Sequence, residues 1–150
     1  MQSENCHRFS DVLYKFIIFS TWRSTQAVSY THLPKEEPKK QTVTVSIRGS
    51  KSVGTILEAT EAAWNEGDTA FSVLKNITRA QGIPMEFSGS GASVYVEGIA
   101  NLYEFDEGAT SGWVYRVNGT LVSKSAGACV LHPGDRIEWI YTLNLGKDLN

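Results

Sequence analysis

The sequence predicts an α+β domain, a mostly antiparallel sheet carrying one main helix at about residues 69–81. Three observations lead there. Thr42-Val43-Thr44-Val45-Ser46-Ile47-Arg48 alternates without a break, one stretch has helical spacing and ends at Gly82, and Asn118-Gly119 separates two runs of β-forming residues. The 13 glycines and 4 tryptophans among 150 residues suit such a turn-rich chain, whose length allows one domain with a real core.

Residues 1–33 keep neither a helical nor a strand period and read as a disordered or non-native leader. Pro34 to Lys40 (PKEEPKK) is a charged, proline-punctuated tether, so the domain is expected at residues 41–146, followed by a short tail at 147–150. In the first strand Val43, Val45 and Ile47 share one face. A less regular strand runs from Thr55 through Trp64 and closes in Asn65-Glu66-Gly67-Asp68, a turn expected to supply a helix N-cap. In the helix, Phe71, Val73, Leu74, Ile77 and Ala80 recur at three and four residues, and Gly82 then Pro84 stop it.

Ser88-Gly89-Ser90-Gly91 reads as a flexible turn, and Ser93 to Ile99 as an alternating strand. Because a strand follows that turn, it lacks the helix N-terminus that a phosphate-cradling loop needs. Trp113 to Val117 and Thr120 to Val122 form a hairpin about Asn118-Gly119. Ala128 to Leu131 is expected as a short strand, His132-Pro133-Gly134-Asp135 as a tight turn and Arg136 to Tyr141 as the closing strand.

Charge and cysteine usage narrow the function. With 14 basic and 16 acidic residues, the net charge of −2 provides no field to gather nucleic acid or an anionic membrane. The apolar run Val12 to Phe19 is broken by Lys15 and too short to span a bilayer. Asp11 before it and Ser20-Thr21-Trp22-Arg23 after it make a poor secretory signal. Cys6 and Cys129 form no CxxC pattern, and Cys129, between Ala128 and Val130, reads as a buried small hydrophobe.

Gly112-Trp113-Val114-Tyr115-Arg116-Val117-Asn118-Gly119, then Lys124-Ser125-Ala126 and Leu131-His132-Pro133-Gly134-Asp135, resemble the transcobalamin-like C-terminal domain family. The likeness extends upstream to Gly67 through Leu74 and to Tyr103-Glu104-Phe105-Asp106, similar to the family's turn into the helix and its aromatic-acidic loop. The resemblance implies a β-grasp-like fold. It also implies a place in secreted or surface-anchored bacterial proteins, and, in vitamin B12 carriers, closure over a corrinoid beside a helical domain.

The residues offer little catalysis. Ser72-Val73-Leu74-Lys75 matches the SxxK pattern in which a lysine one turn away deprotonates a serine, but an amphipathic helix accounts for both as its polar side. His7, His32 and His132 are too scattered for a zinc site, so no metal is expected. Adjacent Asp106 and Glu107 diverge in an extended chain and make no acid/base pair. Asn76-Ile77-Thr78 and Asn118-Gly119-Thr120 fit the glycosylation sequon, but the helix and the turn already account for both asparagines.

The aromatic residues carry the functional reading. Trp139 and Tyr141 suit a core, whereas Tyr103, Phe105 and Trp113 flank the polar loop Asp106 to Ser111, where rigid rings supply contact area at low entropy cost. Tyr103, Phe105, Asp106, Trp113 and Tyr115 are therefore the candidate ligand-binding residues, with no catalytic residue and no resident cofactor. The expectation is a non-enzymatic binding or presentation module of an extracellular protein, a monomeric part of a larger chain whose partner is a small molecule or another domain. The resemblance admits a corrinoid-capping role; a structural spacer is the other alternative.

Overall fold

The computed structural model describes residues 41–149, so the expected leader, tether and last residue lie outside the described residues. Eight strands and one α-helix follow in the order β1 (Thr42–Arg48), β2 (Thr55–Ala63), α1 (Ala70–Gln81), β3 (Met85–Ser88), β4 (Tyr95–Ile99), β5 (Leu102–Tyr103), β6 (Gly112–Val117), β7 (Thr120–Val122) and β8 (Arg136–Thr142). Five strands form one sheet in the order β2-β1-β8-β6-β7, and β3-β4-β5 form a second. The pairing of β1 with β8 is parallel; every other pairing within the sheets is antiparallel. The central parallel pair is thus flanked by β2 on one side and the β6–β7 hairpin on the other, with the helix in the crossover, which is the β-grasp arrangement.

Strand parity builds the core. Val43, Val45 and Ile47 are fully buried, and the parallel register sets Val45 beside Ile137 and Ile47 beside Trp139. The β6–β8 register continues the row with Val117 opposite Ile137, Tyr115 opposite Trp139 and Trp113 opposite Tyr141. Partners across a ladder share a face, so these residues form one apolar surface. Helix α1 rests over β1 and β2, burying Ala70, Val73, Leu74, Ile77 and Thr78. Burying a Val or Leu side chain stabilises by about 1.5–3 kcal/mol, so this stripe outweighs the modest propensities of its β-branched members.

Several local expectations change. The helix N-cap is Thr69, outside the Asn65–Asp68 turn: its hydroxyl accepts from Ser72 N–H while the Ser72 hydroxyl accepts from Thr69 N–H. Ala80 is exposed, and the stripe closes instead on Thr78, whose hydroxyl donates to the Leu74 carbonyl at 2.9 Å. Ala128 to Leu131 is not a strand. Ala126–Ala128 forms a 3-10 turn, and Val130 makes only an isolated bridge to Thr69, because Ala70 N–H donates to Cys129 O and Leu131 N–H to Asp68 O. Ser93 likewise ends a 3-10 turn, Gly91–Ser93, so β4 starts at Tyr95. Cys129 is fully buried as expected, but it is disulfide-bonded and not a thiol.

The tail is ordered onto the sheet. Asp148 accepts from the Thr142 hydroxyl and from Leu143 N–H, and Arg116 donates to the Leu149 carbonyl. These bonds turn the chain back after β8 and bring Leu145 beside the β6–β7 hairpin, where Gly146 lies against Leu121.

Candidate functional site

The predicted residues do not converge as one surface. Trp113, 7% exposed, turns into the core, its Nε1–H donating to the Leu102 carbonyl at 2.8 Å and its ring meeting Tyr141 edge-on at 5.3 Å. Placement beside a polar loop suggested exposure, but Trp113 is the second residue of β6, and parity governs it. Tyr115, 5% exposed, is on the same face, and its hydroxyl donates to the Lys124 carbonyl at 2.8 Å. Burial pushes this phenol above its ordinary value.

Tyr103 is half-buried on β5, its hydroxyl donating to Glu86 at 2.9 Å and its carbonyl accepting from the Tyr141 hydroxyl at 2.7 Å. The bond donated to Glu86 holds the Tyr103 phenol above its usual range. Asp106 is exposed and accepts from Tyr103 N–H at 2.7 Å, which closes the loop. Phe105 projects outward, 62% exposed and at φ 69, a conformation uncommon for an aromatic residue. The loop surface therefore retains Phe105, Asp106 and part of Tyr103.

Trp113 and Tyr115 instead help floor a cleft of about 450 Å³ between β4 and the β6–β7 hairpin. Helix α1 covers the β1–β2 side of the sheet, leaving this end of the inner face to the small second sheet. Trp139 completes the floor, stacked on Tyr115 with centroids 5.0 Å apart and planes 26° from parallel. Val94, Tyr95 and Val96 line one side; Leu121, Lys124 and Ser125 line the other. The Ser125 hydroxyl donates to Val94 O, tying the two sides together at their base.

The mouth is apolar and open. Tyr95 is 48% exposed, and Leu121 and Leu145 are exposed beside it. The Tyr95 hydroxyl donates to Glu104 at 2.6 Å; burial first, then that carboxylate, push its pKa up to about 12. Trp139 differs from Trp113 in one respect: its buried Nε1–H has no acceptor. The volume falls within the 300–1,000 Å³ typical of small-molecule sites, and an apolar lining with a few polar groups is their usual chemistry.

Tyr95, Leu121, Lys124 and Leu145 are not among the residues the sequence predicts for the site, and Trp139 is expected in the core. Tyr95 had a signal, since an aromatic residue standing outward between inward Val94 and Val96 needs either a partner or a role.

Among the described residues, the serine and lysine of the SxxK pattern are both engaged elsewhere. The Ser72 hydroxyl donates to Asp68 Oδ1 at 2.8 Å in the helix cap, while the Lys75 ammonium lies 5.4 Å from the Phe87 ring centroid. Among the described residues no group of three His, Cys, Asp or Glu is placed to hold a metal ion, and no helix is long and apolar enough to cross a membrane.

Comparison with known proteins adds to this picture. The haptocorrin chain of a crystal structure in complex with Cbi matches at 21% identity and a TM-score of 0.53, over 70% of this chain and 25% of that one; the likeness shows a shared fold. The protein described here thus spans about a quarter of the haptocorrin chain's length. A structure named "a putative metal binding protein from Ruminococcus gnavus ATCC 29149" matches at 12% identity and a TM-score of 0.47, over 68% of this chain and 96% of that one. No curated protein matches the sequence. Residues 67–142 match the model of a family described as a domain of unknown function, DUF4430, and the chain belongs to that family.

Proposed function

We propose that this domain is a non-catalytic ligand-binding module that seats a small molecule in the cleft between β4 and the β6–β7 hairpin. The observation that carries this reading is the cleft itself, where the buried, stacked Tyr115–Trp139 pair lies at the base and exposed Tyr95, Leu121 and Leu145 stand at the mouth. Exposing apolar side chains at one opening is costly in water and is offset when a ligand covers them. The absence of an enzymatic role is part of the proposal, supported by the engagement of Ser72 in the helix cap. An extracellular or surface setting is proposed too, and the disulfide-bonded Cys129 fits an oxidising compartment.

The test is binding of N-phenyl-1-naphthylamine, a neutral flat dye whose emission rises in an apolar site. Saturable enhancement that Leu121→Arg abolishes supports the module. Enhancement equal in both proteins, or none at all, moves the domain towards a structural spacer.

A corrinoid is the second reading, favoured by the fold shared with a haptocorrin solved with Cbi and by the sequence resemblance to transcobalamin-like domains. In that reading the cleft face caps a ligand held by a helical partner. Calorimetric titration with Cbi tests it directly: heat that saturates in the parent and is lost in Leu121→Arg supports it, and no heat counts against contact by this domain alone.

A further inference from the structure

We propose that the ligand of the cleft is a flat apolar acid, its ring system on the Tyr115–Trp139 floor and its anionic group at Lys124; this rests on the cleft being the binding site. Charge complementarity carries the inference. Among the described residues the lining contains one basic residue, the exposed Lys124, and no acidic one. Among the described residues the ion pairs are His132–Asp135 and Arg136–Glu138, and neither engages Lys124. Glu104, which accepts from Tyr95 at 2.6 Å, is outside the lining. Lys124 at the rim, with Glu104 engaged by the Tyr95 hydroxyl, gives a ligand acid a direct partner in a protein of net charge −2.

The remaining polar groups point the same way. Ser93 and Ser123 border the cleft with Lys124, and their hydroxyls can donate to a ligand acid. A cationic ligand would meet Lys124, while Glu104 is already engaged by the Tyr95 hydroxyl, so the lining favours an anion.

Two dyes with one ring skeleton separate charge from shape: 8-anilinonaphthalene-1-sulfonate carries an anion, and N-phenyl-1-naphthylamine does not. Both are titrated by fluorescence into the parent protein, Lys124→Gln, Leu121→Arg and the control Lys75→Gln, whose lysine lies over Phe87. Lys124 is exposed, so its substitution leaves the core intact. The expected result is that Lys124→Gln weakens the sulfonate about fivefold, in the range of a partly exposed ion pair, while the neutral dye binds as before and Lys75→Gln changes neither. Equal loss of both dyes, or no loss of either, in Lys124→Gln overturns the acid proposal while the cleft stands. Failure of Leu121→Arg to displace either dye sinks the cleft itself.

Discussion

Tyr115 and Trp139 stack across the β6–β8 ladder, ring centroids 5.0 Å apart and planes 26° from parallel, on strands joined in antiparallel register. One edge of this pair is core and the other is the floor of the cleft, so the same contact serves stability and recognition. Offset stacking of this kind contributes roughly 0.5–1.5 kcal/mol beyond area burial. Its rigidity also means that a ligand meets a surface already in place, with little ordering cost at binding.

The two buried tryptophans of the sheet differ in hydrogen bonding, and their substitutions should differ accordingly. Trp113→Phe removes a buried hydrogen bond, that donated to the Leu102 carbonyl, whereas Trp139→Phe removes an N–H that has no partner. Both lose similar ring area, so Trp113→Phe should be the less stable by about 1 kcal/mol. Urea unfolding of the pair measures this; equal midpoints with equal slopes would contradict it.

The wall of the cleft depends on a close approach of backbone at Gly127. A Cβ built there would stand 1.9 Å from the Gly91 carbonyl oxygen, between the turn that carries Ser125 and the turn that leads into β4. Gly127→Ala must therefore push the two turns apart, at a cost of about 1–3 kcal/mol. It should also weaken dye binding more than its stability loss explains, since Val94 and Ser125 move with those turns. Unfolding and dye titration on the same sample check both effects.

Glu107 supplies a pH-dependent tie between loops. Its carboxylate accepts from the hydroxyls of Ser50 and Ser52, which hold its pKa below the usual value, Ser50 first. A folded-state pKa below the unfolded one contributes stability that is present above the unfolded value and is lost as pH falls through the folded value. The double variant Ser50→Ala, Ser52→Ala should raise the Glu107 pKa toward an ordinary carboxylate and shrink that acid-side dependence. Carbon-detected NMR titration of the Glu107 carboxyl reads it; an unmoved midpoint would show that the serines are not the cause.

Much of the fold was legible because local patterns and tertiary structure agree. The alternation at Val43, Val45 and Ile47, and the Asn118-Gly119 turn at φ 52 and 83, specify their elements without distant help. Strand β3 was not legible: Met85–Ser88 has four residues, mostly exposed, and is a strand only because β4 pairs with it. The short strand expected before the His132 turn fails for the converse reason, since Ala128 to Leu131 spend their backbone bonds on the turn before α1.

The site was half-legible for a related reason. Parity put Trp113 with Tyr115 and Trp139 with Tyr141, but no local pattern sets β6 beside β8 in the register that stacks Tyr115 on Trp139. Leu145 enters through the fold-back after Thr142, held by Asp148, which depends on residues across the sheet. Phe105 does stand out from the surface as the loop reading expected, while neighbouring Trp113 is claimed by the core.

The most direct test of the cleft is its NMR footprint. A titration with 8-anilinonaphthalene-1-sulfonate, followed on backbone amides and tryptophan indole N–H signals, should move the Trp139 indole together with amides of Val94 to Val96 and Leu121 to Ala126. The indole of Trp64, bonded to the Leu131 carbonyl at 3.0 Å, should stay in place. Shifts confined to the Tyr103 to Ser111 loop, with Trp139 and both cleft walls unmoved, would contradict the account.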